Sequence, residues 1–154
     1  MSDKPGSIPA IGQGKRGEEG HLGYLLRQAN TVWRNRAEQA LAAQGMTLPQ
    51  FMALVMVGAY PGASSADLAR AALLTPQTLS VIVANLERAG WIERHAHTVH
   101  GRIRQIALTR SGAAALSRAR QAMAAEERAL HAGLSAAEAK IVRRWLVQVA
   151  MASE

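Results

Sequence analysis

Gln77, Thr78, Ser80 and Val81 are interleaved with Leu79, Ile82, Val83 and Leu86, whose recurrence at three- and four-residue steps is helical. With those apolar residues turned inward, the first four stand outward near the start of the helix. Side chains of these types can read base edges. An amide pairs with adenine, hydroxyls reach bases or phosphates, and a Val methyl meets the thymine methyl. A helix N-terminus also attracts phosphate. The same residues equally suit a polar helix surface with nothing bound, so their meaning depends on what lies beside them. Residues 88–110 supply it: Arg88, Arg94, Arg102, Arg104 and Arg110 stand against Glu87 and Glu93. An arginine on a hairpin tip next to a groove-sized helix can enter a minor groove or hold phosphates. The plainer alternative is a hairpin with solvated arginines.

His95, His97 and His100 lie in the same stretch, at a spacing that resembles a metal cluster. The loop offers no cysteine or carboxylate to complete a ligand set, so no metal site is expected and the histidines are read as neighbours of DNA phosphates. Their titration can still tune affinity for a polyanion. There is no phosphate loop, no Ser-His-Asp context and no paired carboxylate beyond Glu126 and Glu127 on a helix surface, so neither an enzyme nor a cofactor is expected.

The elements that must position these residues are read from punctuation and periodicity. The chain has 154 residues, 49% hydrophobic and only 4% aromatic, with 31 alanines, a composition that favours helix over sheet. Eighteen basic against eleven acidic residues give a net charge of +7, which suits a nucleic-acid partner. The absence of cysteine removes disulfides, thiolate metal sites and thiol redox sensing, and fits the cytoplasm. Residues 39–66 carry no formal charge, but their apolar runs are too short for a membrane span. Residues 1–20, with five glycines and no apolar period, are expected to be a flexible tail.

From His21 an apolar face recurs through Leu41, predicting a first helix over about 21–44. Thr47-Leu-Pro-Gln50 is a capping box that opens a second helix to about Ala59. Ser64 caps a third, Leu73 and Leu74 turn, and Thr75-Pro76 opens the fourth, which Gly90 ends. Trp91–Arg94 and Ile103–Leu108 read as strands flanking a loop over His95–Arg102. A fifth helix begins near Thr109 or Ser111. Ser135-Ala-Ala-Glu138 opens a sixth, with Ile141, Val142, Trp145, Leu146 and Val149 expected to face inward. The fold class is therefore mainly α: a helix-turn-helix followed by a small β-hairpin wing.

Asp67-Leu-Ala-Arg-Ala, Leu74-Thr-Pro-Gln-Thr-Leu-Ser, Leu86-Glu-Arg-Ala-Gly-Trp-Ile-Glu-Arg94, Gly101-Arg102 and Leu108-Thr-Arg-Ser-Gly112 together resemble the multiple-antibiotic-resistance regulator (MarR) family. The resemblance covers residues 21 to about 152. It implies one domain over 21–154, with dimerisation helices at about 21–44 and 111–152 and a winged helix-turn-helix at about 47–110. It also implies a homodimer on a pseudo-palindromic double-stranded operator, acting as a repressor that a small aromatic or phenolic ligand releases. Thr75, Gln77, Thr78, Ser80, Val81, Arg88, Arg94, His100, Arg102 and Arg104 form the expected DNA-binding set. Arg102 maps onto the second arginine of the family wing. The usual Asp-Arg pair is replaced by His100 and Gly101, and Val81 stands where the family often has a basic residue.

In the family, ligands sit between the dimerisation helices and the DNA-binding lobe. Tyr24, Arg27, Trp33 and Phe51 lie on suitable helices: Arg27 to meet a carboxylate, the aromatics to stack on a ring. Trp33 and Phe51 are also natural core residues. A winged-helix module that binds protein instead of DNA is the alternative function; the basic wing and polar fourth helix argue against it.

Overall fold

The computed structural model of the chain describes residues 7–96 and 104–151. Helices α1 (Leu22–Ala42), α2 (Leu48–Ala59), α3 (Ser65–Ala71) and α4 (Pro76–Arg88) precede strands β1 (Ile92–Ala96) and β2 (Arg104–Leu108). Helices α5 (Arg110–His131) and α6 (Ala136–Met151) follow. The helix starts are built as their side chains dictate. Thr47 and Gln50 exchange the two bonds of a capping box, at 3.3 and 3.0 Å. The hydroxyls of Ser64, Thr75 and Thr109 each accept the backbone N–H three residues on, at 3.0–3.1 Å. Ser135 and Glu138 cap α6 reciprocally.

Leu41, Leu54, Leu68, Leu79 and Leu86 are the largest fully buried side chains, and they tie α1, α2, α3 and α4 into one apolar core. Ile92 and Ile106 carry the wing onto it, and Leu116, Ala119 and Met123 bring α5 against its other side. Between α3 and α4, Leu73 takes a left-handed conformation at φ 57°, which costs a side-chain-bearing residue about 1–2 kcal/mol.

The hairpin pairs antiparallel, with Ile92 opposite Leu108, Arg94 opposite Ile106 and Ala96 opposite Arg104. β1 thus runs two residues beyond the expected Arg94. His95 belongs to the ladder, opposite Gln105, and Trp91 precedes the strand. The apolar pattern fades at Arg94, but backbone pairing continues regardless of side-chain polarity.

Two further expectations need correction. The α6 face of Ile141, Val142, Trp145, Leu146 and Val149 points outward, each residue 37–60% exposed, and Ala139 is the helix's one buried residue. On α1, Ala37 and Leu41 are buried while Leu22, Leu26 and Val32 are exposed. Periodicity identified an apolar face correctly in both helices, but this chain provides little to cover it. In the segment before α1, expected to be a flexible tail, residues 7–20 include local structure. A 3-10 turn over Gly14–Arg16 lies against α1, where Arg16 bonds the Gln28 side chain and the Pro9 carbonyl. A Cβ at Gly17 would sit 2.5 Å from the Gly12 carbonyl oxygen, so glycine here permits a tight fold. Among the described residues, no helix is long and apolar enough to cross a membrane.

Candidate nucleic-acid interface

Leu79, Ile82, Val83 and Leu86 are all buried, and this fixes the rotation of α4 about its axis. Gln77, Thr78, Ser80 and Val81 are consequently exposed, Val81 by 62%. Thr75 is engaged locally. Its hydroxyl accepts the Thr78 N–H and donates to Thr78 Oγ1 at 2.8 Å, which leaves the Thr78 hydroxyl hydrogen free for a ligand. Together these residues present an amide, two hydroxyls and a methyl pair at a rigidly capped helix start.

The basic residues divide. Arg88 is exposed at the end of α4 and bonds Asn85 Oδ1 at 2.9 Å. Arg94 shares its side of the hairpin with Ile92 and Ile106, and its Nε pairs with Glu87 Oε2 at 3.1 Å. It also lines a small cleft with Leu79, Ser80 and Val83. Arg94 therefore braces the wing against α4, a role that depends on strand register. Arg104 opens β2 opposite Ala96, while its side chain lies outside the described part. His100 and Arg102, expected at the wing tip, lie outside the described residues, as does His97. His95 Nε2 stands 2.9 Å from Glu93. No cluster of three potential metal ligands occurs among the described residues.

The base of the wing is fastened to α5. Thr109 and Ser111 hydroxyls both donate to the Gly90 carbonyl, at 2.6 and 2.7 Å, and the Thr109 N–H donates to Trp91 O. Gly112 packs directly on the Trp91 backbone, where a Cβ would lie 1.8 Å from the carbonyl oxygen. At the start of α3, Ser64 donates to Asp67 at 2.6 Å and Arg70 pairs with the same carboxylate. The Ser64 hydrogen bond first, and Arg70 second, hold the Asp67 carboxyl below its ordinary pKa.

A cleft of about 640 Å³ opens where α1, α2 and α5 meet, lined by Trp33, Phe51, Met52 and Met123 with Arg120, Glu127 and Arg128. The structure brings Trp33 and Phe51 together there. Tyr24 lies elsewhere, in a cleft with Pro9, Lys15, Arg16 and His21, and Arg27 is exposed and lines neither. The cations at the Trp33–Phe51 cleft are instead Arg120 and Arg128, which sequence reasoning missed. Their separation, with Met123 and Ala124 between, matches one face of α5, but only tertiary packing reveals that this face meets Trp33.

A sequence model of the MarR family matches residues 44–103. The HTH-type transcriptional repressor Rv2887 of Mycobacterium tuberculosis is 37% identical over 129 residues, covering 84% of this chain and 93% of that one. The crystal structure of the M. tuberculosis MarR family protein Rv2887 with p-aminosalicylic acid matches with a TM-score of 0.69 and 35% identity. It covers 85% of this chain and 99% of that chain. Its structure with DNA matches with a TM-score of 0.67 and 34% identity, over 84% and 98% of the two chains.

Proposed function

The chain belongs to the MarR family of winged-helix transcriptional regulators, and from that premise we propose that it is a homodimeric repressor of double-stranded DNA released by a small aromatic carboxylate. The observation that carries the DNA half is α4. Its core-facing leucines fix its rotation, and its capped start exposes Gln77, Thr78, Ser80 and Val81 beside a basic hairpin. A major groove admits one such helix. Two copies related by a dyad would enter successive grooves about 10 base pairs apart, so the operator is an inverted repeat. Arg88, Arg102 and Arg104, together with His100, supply phosphate or minor-groove contacts, and Arg94 positions the wing.

The uncovered apolar faces of α1 and α6 support the dimer, since a second copy would bury what this chain leaves exposed. The domain spans 21–154, with 21–44 and 111–152 as the dimerising helices. The reading is of a cytoplasmic protein that acts by binding and not by catalysis. Arg120 and Arg128, which outnumber the cleft's single carboxylate, Glu127, over an aromatic and methionine floor support an aromatic acid in the α1–α2–α5 cleft. A structure of the 35%-identical relative with p-aminosalicylic acid supports the same ligand class. Release requires the ligand to prefer one dimer shape over another. A ligand wedged beside α5 would favour the shape whose two α4 helices miss the groove spacing.

Selection from a random duplex pool, followed by fluorescence anisotropy, tests both halves. An inverted repeat whose binding weakens as benzoate-type acids are added is the expected result. A chain that selects no sequence, or binds only as a monomer, overturns the reading.

A further inference from the structure

Trp33 forms the partition between two clefts. On one side lie Phe51, Met52 and Met123 with Arg120, Glu127 and Arg128; on the other, Leu25, Val32 and Leu130 line a gap of about 450 Å³ between α1 and α5. The indole Nε1 is buried and meets no hydrogen-bond acceptor among the described residues, where it is the one buried side-chain nitrogen or oxygen so placed. A buried N–H without an acceptor is unfavourable, and phenylalanine would fill this partition without that cost. Tryptophan here makes sense if something brings an acceptor to it.

We propose that Trp33 is the specificity-determining residue of the ligand site. On this assignment its Nε1–H donates to an oxygen on the ring of an aromatic acid whose carboxylate is held by Arg120 or Arg128. The inference rests on the proposed effector cleft and deepens it: the preferred ligand carries two acceptor groups, a carboxylate and a ring oxygen. The floor of Phe51, Met52 and Met123 offers the ring apolar contact and no polar side chain. Apart from the arginines that attract the carboxylate, the indole N–H is the one side-chain donor lining the cleft, so it is the group that answers a ring oxygen. Because Nε1 is covered, the oxygen reaches it only when the indole edge turns into the cleft. That movement disturbs the partition between α1 and α5, which Arg36 and Glu126 clamp nearby at 2.8 Å. Recognition of the ring oxygen and displacement of α5 are then one event.

The test uses pairs of near-equal size that differ in the acceptor: 3- and 4-methoxybenzoate against 3- and 4-ethylbenzoate. Calorimetry on the full-length dimer should show one methoxy isomer binding about tenfold tighter than its ethyl partner, as expected when a buried donor gains its acceptor. Trp33→Phe should erase that preference while still binding the ethyl compound. In the wild-type protein, the Trp33 indole N–H resonance should move downfield with the methoxy acid and not with the ethyl acid. That measurement needs no folded Trp33 variant; Trp91→Phe and Trp145→Phe assign the signal. If the wild type binds these acids without a methoxy preference, or Trp33→Phe keeps the preference, the Trp33 assignment falls while the effector cleft stands. If none of the acids binds, both fall.

Discussion

In the lobe of α2, α3, α4 and the hairpin, Leu54, Leu68, Leu79 and Leu86 are at most 1% exposed. In α6, Ile141, Val142, Trp145, Leu146 and Val149 share the same apolar chemistry and are 37–60% exposed. The lobe encloses its own core, and the arm presents one half of a core. Short helices joined by tight turns fold back on each other, whereas no other described element packs over the outward face of α6. One region is therefore specified within the chain, and in the proposed dimer the other is completed by association.

The contrast is broken most severely at the arm. Trp145→Glu should halve the mass seen by light scattering at micromolar concentration. A buried large apolar side chain contributes about 1.5–3 kcal/mol, and a symmetric dimer loses two. If the mass is unchanged, α6 is not the interface. Leu79→Ala attacks the lobe. It should lower unfolding stability by about 2–5 kcal/mol through a cavity, measured by urea denaturation, and remove DNA binding of every sequence.

A variant that leaves both cores intact sharpens the division of labour. Gln77→Ala should lose about 1–3 kcal/mol of base discrimination at one symmetric position per half-site. Its affinity for random DNA should hold, because no charge is removed. Identical site preferences in wild type and variant would require α4 to dock in another rotation. Leu73→Gly tests strain in the lobe: Leu73 is 87% exposed and left-handed, so relief of about 1–2 kcal/mol outweighs the glycine entropy cost. A net gain of roughly 0.5–1 kcal/mol in thermal or urea unfolding is expected.

Acid should affect lobe and arm alike, and least. The Ser64 hydrogen bond holds Asp67 below its usual pKa, and the Ser135 hydrogen bond does the same for Glu138. A depressed folded-state pKa stabilises above the unfolded value, near 4, and that contribution is lost as pH falls toward the folded value. Asp67→Asn and Glu138→Gln should each lower stability slightly above about pH 4, where the native carboxylate contributes, and flatten its fall in acid, as urea denaturation at a series of pH values would show.

The capped starts at Thr47, Ser64, Thr75, Thr109 and Ser135 were legible because a cap is a bond between residues three apart. The inward face of α4 was legible for the same local reason. What covers an apolar face is a different question, and α6 shows that periodicity does not answer it. That Arg94 also pairs with Glu87 depends on strand register and on how the hairpin meets α4, neither of which is local to the sequence. Arg120 and Arg128 were invisible as site residues because their partners, Trp33 and Phe51, come from two other helices. Arg27 was chosen by helix and charge alone, and packing leaves it exposed.

Gly112 gives the fold its gearing. Its seat on Trp91 turns the wing root and α5 into a single crank, with no soft joint between them. Arg120 and Arg128 lie roughly two to four turns along the same helix, so a ligand that shifted α5 at the cleft would act on the helix that carries the wing root. A methyl group at this seat would collide with the Trp91 backbone, prise α5 from the wing root and uncouple the two.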